Sequence, residues 1–317
     1  MSVVRINRLS SSLPVLQLLL CLALSLGVVR AALAVDVVRF PSPSSAHDTR
    51  RAYSFQLLTE VLRRTEARYG PFELNEVDSV MTRRRLLLEM REGRHVNVLA
   101  NPADEEWLRE LKVVPVPIDM GLQSWRIALI RQPLQARVNA LRTPEQFKAL
   151  RFGVSSNWVT RHALEENGFD TVIGGDYEGL FGMLLAQRFD LLPRGLNEVF
   201  LEYDQRHPQV PELAVEQRYL LHDHIPSLFF VSPAAPHLAE RLNVGMEAML
   251  KDGSLRRFLL SYYGDVLHRA RPCERKVIEL PLPPLPAGLA SRPELWFDPL
   301  DPHNGFCAGR AVPQPDR

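Results

Sequence analysis

The chain has 317 residues, 46% of them hydrophobic, and 38 Lys and Arg against 37 Asp and Glu give a formal net charge of +1. That is enough apolar sequence for one large core or two modest ones, which excludes disorder as the default state. The even charge balance, with no zinc finger, basic helix or aromatic RNA-binding motif, excludes nucleic acid as a partner.

Residues 1–34 carry Arg5, Arg8 and Arg30 and no acidic residue, around an apolar stretch over 18–29 that is too short to span a bilayer comfortably. With Ala32-Leu33-Ala34 as the small-x-small pattern, this reads as a secretory signal peptide cut after Ala34. Leu20 stands where a lipobox before Cys21 needs a small residue. Removing the signal leaves a formal charge of −2 and no second segment of spanning length. Cys273 and Cys307 are then the remaining cysteines, so one disulfide is possible in an oxidising compartment and a disulfide scaffold is not.

The mature chain opens with a strand over 35–40, ended by Pro41 and the serines after it. Tyr53, Leu57, Leu58, Val61 and Leu62 follow the 3.6 period of an amphipathic helix, closed by Tyr69-Gly70-Pro71. A strand over 72–77, a helix over 81–91 and a strand over 96–99 complete a β-α-β-α-β beginning. Such alternation predicts a largely parallel sheet, with ligand sites beyond the carboxyl ends of its strands. An apolar strand over 125–130 follows, and the pattern then restarts. Thr143-Pro144-Glu145 begins a helix, strands read over 151–154, 170–173 and 189–192, and helices over 158–167 and 177–187. Later come strands over 213–215 and 228–231, a helix over 237–251, and a last helix over 254–263. Residues 271–317 hold ten of the 25 prolines, so they read as an extended tail laid over a lobe.

The order of elements resembles the periplasmic solute-binding proteins of polar amino-acid uptake systems, family 3-like, in a divergent branch. The segment Leu141-Arg-Thr-Pro-Glu-Gln-Phe-Lys-Ala-Leu-Arg-Phe-Gly-Val and the ending Met249-Leu-Lys-Asp-Gly-Ser-Leu-Arg-Arg-Phe-Leu-Leu-Ser-Tyr-Tyr-Gly carry that resemblance best. The resemblance implies a two-lobed type II α/β fold. Lobe 1 would take 35–130 and return over 222–270, lobe 2 would be inserted over 131–221, and the Pro-rich tail would follow over 271–317. It also implies solute capture in the interlobe cleft, read by an ABC permease or membrane sensor through lobe closure. Two of the family's usual ligand residues are missing. The segment after Val96 lacks the Thr-x-x-Arg arginine, and Pro193-Arg194-Gly195 stands where a lobe-two aspartate is usual. A zwitterionic amino-acid ligand is therefore in doubt.

Because 34 of the 38 basic residues are arginine, every Arg nominated as a ligand contact competes with a codon-bias explanation. Ser155, Ser156, Asn157 and Trp158 lie between a strand end and a helix start, where unpaired amides and the dipole favour an anion; ordinary N-capping explains them equally. Arg194, at the carboxyl end of its strand, can fork onto an oxyanion or pair with Glu198 or Glu178. Tyr177 and Glu178 open the helix before that strand and can reach the same cleft. Among Arg83, Arg84 and Arg85, Arg85 is the choice for the cleft, against neutralisation by Asp78 or Glu89. Arg126 is a further contact, Trp125 is core or platform, and Asp48 and Tyr53 are weaker candidates. His222 and His224 flank Asp223, but a metal needs a third ligand that no neighbour in sequence supplies.

No catalytic motif occurs, so neither enzyme chemistry nor a cofactor is expected. The expected function is capture of a small anionic or carboxylate-bearing solute by an exported monomer. Two rivals stay open: a dehydratase-like enzyme using an acid such as Glu178, or an interaction partner whose cleft has filled with apolar side chains.

Overall fold

The computed structural model describes residues 35–43, 51–78, 83–281, 285 and 288–307, with the side chain of Arg83 excepted. The signal segment 1–34, Asp48 and the start of the second predicted helix lie outside the described residues.

Strand β1 (Asp36–Pro41) pairs in parallel with β2 (Phe72–Val77) across helix α1 (Ala52–Tyr69). All five apolar residues that set the helical period of α1 are buried. Each such Leu or Val contributes about 1.5–3 kcal/mol through removal of its side chain from water. The second helix, α2 (Arg83–Glu92), leads to β3 (Val98–Pro102), then to the short α3 (Glu105–Glu110) and β4 (Lys112–Val114). β3 and β4 flank a later strand, β11 (Ser227–Val231), antiparallel on both sides. Buried Asn97 joins these two sheets: its side chain accepts from Arg39 N at 2.7 Å and donates to Val37 O at 2.8 Å. Together they form the first lobe.

The second lobe is a mixed sheet. β5 (Trp125–Arg131) has β8 (Leu191–Gly195) on one side and β10 (Tyr219–His222) on the other. Beyond β8 lie β6 (Arg151–Ser155) and β7 (Asp170–Gly174), and the short β9 (Leu213–Val215) also pairs with β5. Its helices are α4 (Leu134–Ala140), α5 (Pro144–Lys148), α6 (Val159–Glu166), α7 (Tyr177–Leu185) and α8 (Val199–Arg206). The crossing between lobes therefore falls earlier than residue 130, because all of β5 already belongs to the second lobe's sheet. The outward crossing runs over 115–124 and the return over 223–226. Asp223 N donates to Ser124 O at 3.0 Å, so the two crossings hold each other. Met120 (φ 50°), Gly121 (φ 78°) and His224 (φ 55°) put left-handed turns into them.

The chain returns through α9 (Pro236–Lys251) and α10 (Ser254–Ala270). α10 continues two turns past the predicted stop at Gly264, because Val266, Leu267 and Ala270 extend its buried stripe. It ends at Arg271, left-handed and followed by Pro272. α9 lies close on α1, where a Cβ on Gly245 would fall 2.6 Å from Val61 Cγ1. Fully buried Arg241 binds Asp36 at 2.7 Å and donates to Leu62 O within α1 and to Gly70 O, the C-cap carbonyl at the end of that helix.

The proline-rich segment is more than a covering tail. β12 (Lys276–Glu279) adds a parallel edge strand beside β10. Leu289, Leu295, Phe297 and Leu300 then enter the large core that includes the first lobe. Cys273 and Cys307 are disulfide-bonded, with Cα atoms 5.7 Å apart.

Candidate functional site

Between the lobes is a cavity of about 180 Å³. The first lobe and the crossings contribute Tyr53, Asn101, Asp119, Gln123 and Tyr263 to its wall; the second lobe contributes Arg126, Asn157, Trp158, Thr160, Arg194, Asn197 and Glu198. A larger cavity of about 820 Å³ lies on the outer side of Trp158, between α3 and α6, where Ser156 and Asn157 also stand.

Asp119 forms the polar floor from the first crossing. It is 1% exposed and accepts from Gly121 N at 3.1 Å and Gln123 N at 3.0 Å. Burial pushes its carboxyl up to about 7, with the backbone donors opposing and the Glu198 charge adding to the rise. Glu198 is placed by the turn after β8 and takes hydrogen bonds from Gln123 Nε2 and Gly195 N, both at 3.3 Å. The side-chain oxygen of Asn197 is buried and has no protein partner.

Arg194 lies inside β8 instead of beyond its end, because the strand continues to Gly195. Its guanidinium binds Glu202 through two contacts, 2.6 and 2.7 Å, and Glu198 at 2.9 Å. It also lies 4.6 Å from the Trp158 ring centroid. The arginine lines the cavity, but its forked donors already face carboxylates. Arg126 is likewise held: its Nε donates to Asp223, a fully buried carboxylate on the return crossing that also accepts from Thr160.

The turn Ser155–Trp158 does bring α6 to the cavity. Trp158 is the N-cap of α6, no side chain caps the helix, and Val159 and Thr160 of its first turn line the cavity. Ser155 is behind the wall, its Oγ accepting from Asn157 N at 3.5 Å. Tyr177 also lies behind it, its hydroxyl donating to Glu202 at 2.8 Å; burial and that carboxylate raise its pKa. Glu178 binds Arg206 at 2.9 Å, on the surface. Arg85 is outside the cleft, on an exposed face of α2 with Glu89 at 3.8 Å. Trp125 is core, stacked on His222.

Thus Arg194, Arg126, Asn157, Trp158 and Tyr53 converge on one cavity, while Arg85, Ser155, Tyr177 and Glu178 do not reach its wall. Sequence reasoning missed Asp119, whose signal was an acidic residue just before the Met120-Gly121 turn of a lobe crossing. Among the described lining residues there is no His, Cys or Lys.

No protein-family model matches the chain, and no curated protein matches it by sequence. Solved structures do match. An ancestral arginine-binding protein bound to glutamine superposes with a TM-score of 0.52 at 14% identity, covering 73% of this chain and 99% of that one. A structure concerned with glutathione import through GshT and the cystine ABC importer of Streptococcus mutans gives 0.53 at 9% identity, covering 73% and 96%. A Salmonella typhimurium periplasmic binding protein of high arginine specificity gives 0.51 at 10% identity, covering 72% and 100%. The chain has the two-lobed type II fold of the amino-acid ABC transporter substrate-binding proteins.

Proposed function

We propose that the chain is an exported, monomeric solute-binding protein that captures a small carboxylate-bearing solute of the amino-acid class and presents it, by lobe closure, to an ABC permease or membrane sensor. Export rests on the signal-like pattern of residues 1–34. The amino-acid class rests on the fold and on solved neighbours that bind arginine or glutamine. Among the described residues, no helix is long and apolar enough to cross a membrane.

The observation that carries the reading is the composition of the cavity wall. At about 180 Å³ it is smaller than the roughly 300 Å³ at which drug-sized ligand sites begin. The uncapped start of α6, at Val159 and Thr160, offers a place for one carboxylate. Asp119, Glu198 and the Asn197 oxygen offer acceptors for an ammonium or guanidinium group. They stand in for the family's missing aspartate and so support a zwitterionic solute. A dianion fits poorly, because Arg126 and Arg194 are already matched by Asp223, Glu198 and Glu202. The reading of a decayed, apolar-filled cleft loses support from the same polar wall.

A thermal-shift screen of the mature protein against amino acids, dicarboxylates, phosphate esters and sugars tests this. A ligand at 100 times its Kd raises stability by about 2.7 kcal/mol through mass action. Amino acids with a basic or amide side chain should raise the midpoint most. If none of the amino acids shifts it, the proposed solute class is wrong.

A further inference from the structure

We propose that His222, His224 and Glu279 form a binding site for a divalent transition-metal ion of the zinc type, on the outer face of the return crossing. This site is separate from the solute cavity and does not depend on its assignment.

His222 closes β10 and His224 lies two residues beyond it, with the two imidazole rings facing each other. Asp223 is buried against Arg126, whereas His222 and His224 open outward. The third donor is 57 residues from His222 in sequence. It arrives because β12 pairs in parallel with β10, with His222 directly opposite Glu279. His222 Nδ1 lies 3.0 Å from Glu279 Oε2, and His224 Nε2 lies 2.9 Å from the same oxygen. All three donor atoms fall within 4.8 Å of one another. Ligands bound at 2.0–2.1 Å in a tetrahedral shell sit about 3.3 Å apart, so small side-chain movements convert this hydrogen-bonded trio into a coordination set.

The trio is held in place. The His222 ring lies parallel to Trp125 at 3.7 Å and 8°, and the His224 ring is 3.7 Å from that of His222. His224 has a left-handed backbone (φ 55°), and its ring reaches Glu279 from just beyond the end of β10. The side chains are 13%, 28% and 37% exposed, leaving room on the solvent side for water as the remaining ligand. Two imidazoles and one carboxylate suit Zn²⁺, Ni²⁺ or Cu²⁺ and do not suit Mg²⁺ or Ca²⁺, which take oxygen. A bound ion would tie the edge strand of the proline-rich segment to the crossing that carries Asp223.

The test is calorimetric titration of tag-free, chelator-treated mature protein with Zn²⁺, and in parallel with Mg²⁺. One Zn²⁺ should bind and raise the thermal midpoint, and Mg²⁺ should do neither. H224A and E279Q should each weaken Zn²⁺ binding by at least about 10-fold, the loss that removal of even an outer-sphere partner can cause. Circular dichroism checks that the variants keep the fold; H224A serves if E279Q disturbs β12, because His224 lies outside the strands. Absence of Zn²⁺ binding, or binding of equal strength in a folded variant, overturns the proposal.

Discussion

Arg194 and Glu202 form a buried bidentate pair, with Nε 2.6 Å from Oε2 and Nη2 2.7 Å from Oε1, and Glu198 adds a second carboxylate at 2.9 Å. The guanidinium is thus part of the scaffold beneath the cavity before it can act as a solute contact. Removing Arg194 leaves two carboxylates uncompensated in a dry site, and breaking a buried pair in that way typically costs about 3–5 kcal/mol. Glu202→Ala leaves Arg194 with Glu198 as its remaining counter-charge and should lower unfolding free energy by less, about 1–3 kcal/mol for the lost hydrogen bonds, in urea titrations. Arg194→Ala should lose stability as well, so a fall in solute affinity in that variant must be read against its melting curve. A Glu202→Ala protein within about 0.5 kcal/mol of wild type, the size of an ordinary surface change, would show that the pair is not structural.

Asp119 makes the protein's stability depend on pH in a direction unusual for a carboxylate. Its folded pKa is pushed up to about 7 by burial, whereas an unfolded aspartate titrates near about 3.9. The folded state therefore holds the proton more tightly. This contribution is fully present below about pH 4 and is lost as pH rises through about 7. Asp119→Asn, which cannot ionise, should be closer to wild type in stability at about pH 5 than at about pH 8, where it gains relative to the wild-type protein. Denaturant unfolding at the two pH values checks this; an equal difference at both would show that Asp119 is not the titrating group. A cationic solute should also bind wild type more tightly at the higher pH, where the carboxylate is ionised.

The elements set by hydrophobic period were legible in the sequence. The buried face of α1 and the bounds of β2 agree with the reading because their patterns are local. The errors arose where tertiary pairing decided. Pro193 and Gly195 read as the end of a strand, yet β8 runs through both. β8 pairs with β6 only at Leu191, so at Pro193 it has β5 as its ladder partner and the missing N–H costs little. That extension moves Arg194 from a strand end into a buried ion cluster. Likewise, no local signal brings Glu279 to His222, since the contact depends on strand pairing over 57 residues.

The Cys273–Cys307 bond closes a separation of 34 residues and fixes both ends of the proline-rich segment. Loop-closure entropy for such a span is worth about 3–4 kcal/mol. The segment has buried side chains to lose, including Leu280, Leu289 and Leu295. Unfolding under reducing conditions, or in the double Cys→Ser variant, should therefore start at lower denaturant, and thiol titration of the denatured mature protein should find no free cysteine. A full complement of free thiols in protein freshly purified under non-reducing conditions would contradict the bond.

Gly121 couples the first crossing to the same segment. Its φ of 78° is in the left-handed region, and an added Cβ would fall 2.5 Å from Cε3 of Trp296. The next residue of the segment, Phe297, donates its N–H to Met120 O at 2.7 Å, so the indole cannot withdraw without straining that bond. Gly121→Ala should cost about 1–3 kcal/mol from backbone strain alone, and more once Trp296 is displaced. The two parts can be separated. In a Trp296→Ala background the steric part disappears and the backbone part remains, so the glycine substitution should be less damaging there than in wild type. A double-mutant cycle on melting curves measures the difference, and strict additivity would mean that Trp296 does not pack on Gly121 in solution.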